Sequence, residues 1–285
     1  MFRVTSFSDI AGQVTASSVN ADRVTVGSVY LSTEKLEAIG DVIPHSFPKW
    51  RDANDADLEY ITSLIAHESL SITVASIDKT TAPWRTFWED ASDTHSKASS
   101  LQGGTIGFLK AATLIKFVAF GHASAAGMAH AIVTGQIPRP KERGGLIEIE
   151  EAVVLDNEIQ GQDNIEALVD IWRAINSHQP MSNSLGISRL AVSLRLATEQ
   201  SEPLLLLADY AAGIVQAVRS KANVLSKSKV SPEAAAAALT RMSQSGRLLD
   251  FTDTVRLSYF EIYPDFAKFS RRHVANPAVH TDAAR

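Results

Sequence analysis

The stretch LIEIEEAVVLD, residues 146–156, has the pattern of an interior strand. Its first half alternates apolar and acidic residues, and its second half is continuously apolar up to Asp156. A strand with one solvated face alternates in this way, whereas a strand covered on both faces is apolar throughout. The pattern therefore predicts a central strand of a sheet, ending at Asp156.

Three earlier strands are predicted on the N-terminal side. Residues 2–8 and 23–31 are rich in Val, Thr, Phe and Tyr and are separated by a Gly/Ser/Asn stretch, so we expect two adjacent antiparallel strands. Residues 69–77, SLSITVASI, predict a third strand. Helical spacing of apolar residues over 33–43 and 57–67 predicts helices between the second strand and the third.

Strands and helices alternate on the C-terminal side of the central strand. The sequence predicts a helix over about residues 164–176, a strand over 187–196 and a helix over about 202–222. This β-α-β-α order is typical of a mixed α/β layer fold. We therefore expect an α/β protein with a mixed β-sheet flanked by helices.

The domain organisation follows from these elements. Residues 1–222 are expected to form one domain, and the Ala-rich region 83–136 is expected to be a helical insertion whose small residues let helices approach closely. Residues 223–270 predict a C-terminal helical extension, since PEAAAAALTRM carries proline in its first turn and residues 248–260 have helical spacing. Residues 271–285 lack apolar periodicity and predict a flexible tail.

Composition excludes several classes of site. The 285 residues are 45% hydrophobic, which is enough for a substantial core, and they include no cysteine, which excludes disulfides, thiolate zinc sites and cysteine nucleophiles. The sequence has neither a signal-peptide pattern nor an apolar run of membrane-spanning length, so we expect a cytoplasmic protein. A net charge of −5 argues against coating by nucleic acid, but it is compatible with a nuclease that confines its basic residues to one groove.

The helix SEPLLLLADYAAGIVQAV, residues 201–218, carries one acid, Asp209, inside an apolar stretch. An unpaired buried carboxylate costs several kcal/mol, so such an acid normally has a cation, a hydrogen-bond network or a wet cleft beside it. The alternative is that Asp209 points to solvent from a polar stripe of the helix.

Two other aspartates lie at strand ends, Asp9 after the first strand and Asp156 after the central one. Taken singly, each is an ordinary strand-to-turn aspartate. If the two strands are neighbours and the Asp209 helix packs across them, however, the three carboxylates meet. Such a cluster repels itself unless hard cations lie between its oxygens, and Mg²⁺ or Mn²⁺ prefers these ligands. Asp9, Asp156 and Asp209 are therefore the candidate catalytic and metal-ligating residues for two-metal phosphoryl chemistry.

Three segments carry a family resemblance: SDIAG around Asp9, FPKW at residues 47–50, and LADYAAG at residues 207–213. Over roughly residues 2–221 the chain resembles the domain-of-unknown-function family 3800. The resemblance implies an RNase H-like fold and the activity of a metal-dependent nuclease. It also implies a place in phage defence or mobile-element biology, where several members occur.

The chain departs from that family's pattern at two acids. Ile10 and Phe47 stand where the family has glutamates. We expect Glu148, Glu150, Asp78 or Glu202 to be the possible substitutes for the missing ligands. The departures leave open a second interpretation, in which the fold persists without catalysis as an interaction or regulatory module. In that case the Ala-rich helical segment is a surface for a homo-oligomer or a protein partner.

A basic and aromatic trio, Lys49, Trp50 and Arg51, is the candidate nucleic-acid contact, with Lys49 on a phosphate. The alternative is a loop that packs its tryptophan on the protein body. The histidines are scattered, and the spacing of His122 and His130 favours core or surface residues over metal ligands. The sequence contains no GxGxxG, Walker or GxSxG motif, which argues against dinucleotide enzymes, nucleotide triphosphatases and serine hydrolases.

Overall fold

A six-stranded mixed sheet forms the centre of the protein in the computed structural model. The structure describes residues 1–11, 22–67, 70–78, 80, 111–139, 145, 147–157, 187–220, 229–250 and 252. The strands are β1 (Phe2–Ala11), β2 (Arg23–Ser32), β3 (Ser71–Asp78), β4 (Ile147–Asp156), β5 (Ile187–Ala197) and β6 (Leu248–Asp250).

Helices flank this sheet. They are α1 (Leu36–Gly40), α2 (Asp55–His67), α3 (Ala111–Val133), α4 (Leu205–Arg219) and α5 (Pro232–Gln244), with short 3₁₀ turns at Thr33–Lys35 and Trp50–Asp52. None of the helices in this part of the chain combines the length and the apolarity needed to cross a membrane.

The strand order is β5-β4-β1-β2-β3-β6. Strands β1, β2 and β3 are antiparallel neighbours, which confirms the predicted hairpin. Strand β4 lies between β1 and β5 and is parallel to both, so the prediction of an interior strand ending at Asp156 is confirmed. The predicted α/β fold, a mixed β-sheet flanked by helices, is confirmed by this order and by the helices on the two faces.

Helix α4 covers one face of the sheet, over β1 and β2. The approach is close because β2 has Gly27 at the crossing, where a Cβ atom would collide with the backbone carbonyl of Ala208. Leucine and alanine side chains of α4 are buried there against Phe7 and Val29. At the other end of the helix, Arg23 Nε donates to the Arg219 carbonyl at 3.2 Å, which satisfies one of the free C-terminal carbonyls.

Helix α3 covers the opposite face, over β2 and β3. Gly127 lies directly on the ring of Tyr30, and the Tyr30 hydroxyl donates to the Ser124 carbonyl at 2.8 Å. The helical layer predicted in the Ala-rich region is confirmed for α3, while residues 81–110 lie outside the described residues. The predicted helix at 164–176 and the predicted tail at 271–285 also lie outside them.

The region predicted as a helical extension contributes one helix and one strand. Helix α5 begins at Pro232, and the residue before it, Ser231, caps the helix because its Oγ accepts the Ala234 N–H at 3.2 Å. The helix packs against α2 and α4. The prediction that the helical pattern at 248–260 begins at Leu248 is wrong, because Leu248–Asp250 is strand β6, parallel to β3. The unpaired edge of β3 offers backbone hydrogen bonds that outweigh local helical spacing. The predicted division into domains stays a prediction.

Candidate metal centre

Three buried acids gather at one edge of the sheet, Asp9 of β1, Asp156 of β4 and Glu199 just after β5. Each offers one carboxylate oxygen, and these oxygens all lie within 4.8 Å of one another. The residues are only 4%, 7% and 7% exposed, respectively. Three ionised carboxylates that close repel one another strongly unless a cation lies among them.

The register of β1 and β4 places the two aspartates side by side. Ser8 pairs with Leu155 in this parallel pair, so Asp9 and Asp156 are the next residues along each strand and project from the same face. Asp9 is opposite Gly27 of β2, so this face is the one that α4 covers. Asp9 Oδ1 also accepts the Ile10 N–H at 2.6 Å, which fixes the carboxylate at the strand end.

Glu199 reaches the same point through a tight turn. Asp156 pairs with Ala197, the last residue of β5, and Glu199 follows two residues later. The turn is closed by the Thr198 carbonyl, which accepts the N–H groups of Ser201 at 3.0 Å and Glu202 at 2.8 Å. Carboxyl ends of parallel strands share one edge of a sheet, so an acid just beyond β5 lies next to an acid that ends β4.

One lysine neutralises part of this cluster. Lys49 Nζ forms an ion pair with Glu199 Oε1, and the lysine side chain remains 42% exposed. Partial burial lowers the pKa of Lys49. The hydrogen bond and charge of Glu199, together with the charges of Asp156 and Asp209, outweigh burial and leave the pKa above its ordinary value. Lys49 is therefore a firmly charged ammonium group beside the three acids.

Asp209 lies next to the cluster but has a different partner. Its Oδ2 accepts the Trp50 backbone N–H at 2.7 Å, and it is not among the three described acids whose ligand oxygens converge. Burial raises the pKa of Asp209 to about 7. The Trp50 hydrogen bond and Lys49 oppose this shift, and the charges of Glu199 and Asp156 add to it. Asp209 is thus within electrostatic reach of Glu199 and Asp156.

The segment FPKW is held against α4 by hydrogen bonds and by ring packing. Besides the bond from Trp50 to Asp209, the Tyr210 hydroxyl donates to the Pro48 carbonyl at 3.0 Å. The Trp50 ring fills the space above Gly213, where a Cβ would collide with it, and meets the Tyr210 ring edge-on at a centroid distance of 5.8 Å. The two motifs FPKW and LADYAAG are therefore one structural unit, and this unit presents Lys49 to Glu199.

Neither a protein-family model nor a curated protein matches the sequence. Among solved structures, the chain is similar to ribonuclease H2 from Pyrococcus horikoshii OT3, with 10% identity, a TM-score of 0.40, and coverage of 96% of this chain and 99% of that one. It is also similar to a point mutant of Bst-RNase HIII, with 11% identity, a TM-score of 0.38 and coverage of 76% of this chain. The matched part spans 55% of the Bst-RNase HIII chain.

The structure brings two of the three predicted acids together and adds one that the sequence reasoning missed. Asp9 and Asp156 share the cluster, whereas the assignment of Asp209 as a ligand stays a prediction. Glu199 was not among the expected substitutes. The signal that identifies it is an acid two residues beyond the strand that follows the central one, at the same edge of the sheet.

The four expected substitutes belong to other contacts. Glu150 pairs with Arg3 at 3.0 Å, buried Asp78 lies 3.9 Å from Arg23, Glu202 pairs with Arg195, and Glu148 is exposed. None of the four belongs to the carboxylate group found among the described residues.

The two positions that lack the family's glutamates have apolar roles. Ile10 is 5% exposed and belongs to the core. The Phe47 ring packs between Tyr60, at a centroid distance of 5.3 Å, and Tyr210, at 5.8 Å.

The three residues predicted to contact nucleic acid face different surroundings. Lys49 pairs with Glu199, Trp50 packs on α4, and exposed Arg51 pairs with Asp52 at 3.2 Å. The packing of Trp50 on the protein body is the alternative that the sequence left open. A nucleic-acid contact by the trio stays a prediction.

A further buried acid, Glu151, lies on the opposite face of the sheet, beneath α3. It is fully buried, and its Oε1 accepts the Ser6 hydroxyl at 2.7 Å. Burial raises the pKa of Glu151 to about 7, against the lowering effect of hydrogen bonds from Ser6 and Tyr30. In α3 itself, burial lowers the pKa of His122 to about 3, as expected for a histidine of the core.

Proposed function

We propose that this protein is a divalent-metal-dependent nuclease or related phosphodiester hydrolase. The observation that carries the proposal is the group formed by Asp9, Asp156 and Glu199, whose oxygens lie within 4.8 Å of one another. An all-carboxylate donor set of this size fits a hard cation such as Mg²⁺ or Mn²⁺.

In this proposal Asp9, Asp156 and Glu199 hold the ion, and Asp209 is the fourth acid beside them. When bound, such an ion activates water and stabilises charge on a phosphate. The protein's own contribution is positioning: β1, β4 and the turn after β5 fix the three carboxylates, and Glu199 orients the Lys49 ammonium. As in the sequence prediction, Lys49 is also the residue proposed to meet a substrate phosphate.

A second candidate is a catalytically degenerate module that keeps the fold as an interaction or regulatory unit. The ion pair between Lys49 and Glu199 favours it, because a cluster partly neutralised by a lysine needs less metal charge. Calorimetry with Mn²⁺ separates the two candidates. Metal binding that depends on Asp9 and Glu199 supports the nuclease, whereas silence at about millimolar Mn²⁺ supports the module.

The activity is tested on single-stranded DNA, duplex DNA, RNA and an RNA–DNA hybrid, each with Mg²⁺ or Mn²⁺ and with a chelator. We expect the wild type to cleave at least one of these substrates with metal only, and Asp9→Asn and Glu199→Gln to lose that cleavage. Glu150→Gln is the matched control, because Glu150 is an exposed acid on β4 outside the cluster. Equal cleavage by all four proteins, or none by the wild type, would contradict the proposal.

The biological setting remains a prediction from the sequence. This holds for a role in phage defence or mobile-element biology, for a cytoplasmic location, and for an oligomer or partner surface on the Ala-rich segment. In the structure, the small residues Ala119, Ala123 and Gly127 of α3 are buried.

A further inference from the structure

The Lys49 ammonium group is a positive charge located at the acid cluster, where a bound cation would also lie. This group contacts Glu199, one of the three converging acids, while the charges of Asp156 and Asp209 also act on it. Glu199 is nearly buried, so its carboxylate is poorly solvated and interacts strongly with an adjacent positive charge.

The position of this ammonium is built into the fold. The residues on either side of Lys49 are both tied to α4, Pro48 through the Tyr210 hydroxyl and Trp50 through Asp209 and the space at Gly213. The fixed backbone on both sides limits where the Lys49 ammonium can reach, and the ion pair with Glu199 holds the side chain there. The folded protein therefore holds the ammonium group next to these acids.

The charges at the cluster also match a single ion. The three acids whose oxygens converge, Asp9, Asp156 and Glu199, carry three negative charges when ionised, and Lys49 supplies one positive charge. Asp209 is outside this count, because its Oδ2 accepts the Trp50 N–H. The two remaining negative charges are neutralised by one divalent cation. A second divalent cation would leave an excess of positive charge and would compete with the ammonium for Glu199.

We propose that the ammonium group of Lys49 occupies one cation position of this centre, which leaves room for one divalent ion instead of the two that two-metal phosphoryl chemistry uses. This inference rests on the proposed function, because it concerns how the same acids hold metal. Lys49 then acts as a positioning residue for Glu199 and as a permanent charge in the site.

The test counts bound Mn²⁺ by calorimetry and by electron paramagnetic resonance of free Mn²⁺ in four full-length proteins: the wild type, Lys49→Gln, Lys49→Arg and Arg241→Gln. Arg241 is a matched control for the loss of one positive charge, since it lies on α5 and its guanidinium is 4.0 Å from the exposed acid Glu59. We expect the wild type, Lys49→Arg and Arg241→Gln to bind one ion, and Lys49→Gln to bind two.

Equal ion counts in Lys49→Gln and the wild type, or two ions in the wild type, would overturn the inference. Thermal unfolding checks that the glutamine variant is folded, and Lys49→Met serves as a second neutral variant if it is not. The outcome is separable from that of the nuclease proposal. A wild type that binds one ion but cleaves no substrate leaves the lysine inference intact, whereas an inactive protein that binds no ion with or without Lys49 ends both.

Discussion

Asp156 and Glu151 are five residues apart on β4, and both are buried, but they lie on opposite faces of the sheet. Asp156 points to the α4 face, where acids from two other elements and Lys49 join it. Glu151 points to the α3 face, where the hydroxyl of Ser6 donates to it. The pKa of Glu151 is raised to about 7, as is that of Asp209 on the first face, but the acids of the first face also have the Lys49 ammonium group beside them.

The difference shows which feature marks a candidate site. A single acid closed under a helix avoids its desolvation cost by holding a proton, as the raised pKa of Glu151 indicates. Three converging acids could not all hold a proton in this way and still carry the negative charge that binds a cation. Convergence from separate strands, and not burial alone, therefore distinguishes the metal centre.

The largest expected effect comes from removing a carboxylate of the centre. Glu199→Gln or Asp156→Asn should lower metal-dependent cleavage more than about 1,000-fold, because the loss of even an outer-shell partner of a metal costs roughly 10- to 100-fold. Glu151→Gln, an identical change in chemistry on the other face, should stay within about three-fold of the wild type. Initial cleavage rates at fixed Mn²⁺ measure both effects. Similar losses on the two faces would show that the converging acids are no more important for cleavage than Glu151.

Glu151 should instead control how stability depends on pH. Its pKa rises from an ordinary 4.5 to about 7 on folding, so between these values the folded protein holds a proton that the unfolded chain releases. The contribution of Glu151 to the free energy of unfolding therefore falls by about 3 kcal/mol as pH rises from 4.5 to 7, and it does not change further above pH 7.

Glu151→Gln removes that proton exchange. The variant should gain free energy of unfolding relative to the wild type as pH rises from 4.5 to 7, and the same change at the neighbouring, solvent-exposed side chain, Glu150→Gln, should not produce this gain. Urea denaturation across this range measures the difference. Parallel stability curves for the wild type and Glu151→Gln would show that the buried carboxyl does not titrate as described.

On each face of the sheet, one helical glycine lies against an aromatic ring, so the same substitution can be made on both faces. Gly213→Ala would push against Trp50, and Gly127→Ala would push against Tyr30, so each should destabilise the protein by about 1–3 kcal/mol. Only Gly213→Ala displaces the segment that carries Lys49, so only this variant should shift Mn²⁺ binding toward that of Lys49→Gln.

Gly40→Ala is the control for these glycine variants, since nothing lies within 4 Å of a Cβ at that position. Denaturation and Mn²⁺ titration of the three variants provide the measurement. Identical metal binding by Gly213→Ala and Gly127→Ala would mean that the contact between Trp50 and α4 does not position Lys49.

The smallest effect is expected for Asp209→Asn. The asparagine side-chain oxygen can still accept the Trp50 N–H, so stability should fall by less than about 1 kcal/mol and Mn²⁺ affinity by less than about ten-fold. Isothermal titration measures the affinity. A loss as large as that of Glu199→Gln would show instead that Asp209 is a direct ligand.

The sequence predicted those parts of the fold that local patterning determines. Apolar continuity identified β4 as an interior strand, and the strand-end aspartates Asp9 and Asp156 were expected to meet if β1 and β4 were neighbours. Strand β6 was mistaken for helix, because pairing with the free edge of β3 is a long-range effect that spacing does not encode.

Glu199 was missed for a related reason. Its position depends on the turn after β5, which is closed by the Thr198 carbonyl. The letters ATEQSE place two acids just beyond the strand, but they do not show which of the two is buried. Likewise, the residues of FPKW suggested a nucleic-acid contact, and their packing on α4 became visible only once Gly213 and Trp50 were placed together.

We propose that Asp9, Asp156 and Glu199 share a divalent cation. The decisive measurement is anomalous X-ray diffraction from crystals of the wild-type protein grown with Mn²⁺. We expect one manganese peak within coordination distance of all three carboxylates, with Lys49 still paired to Glu199. An empty cluster at saturating Mn²⁺, or manganese bound only elsewhere, would contradict it.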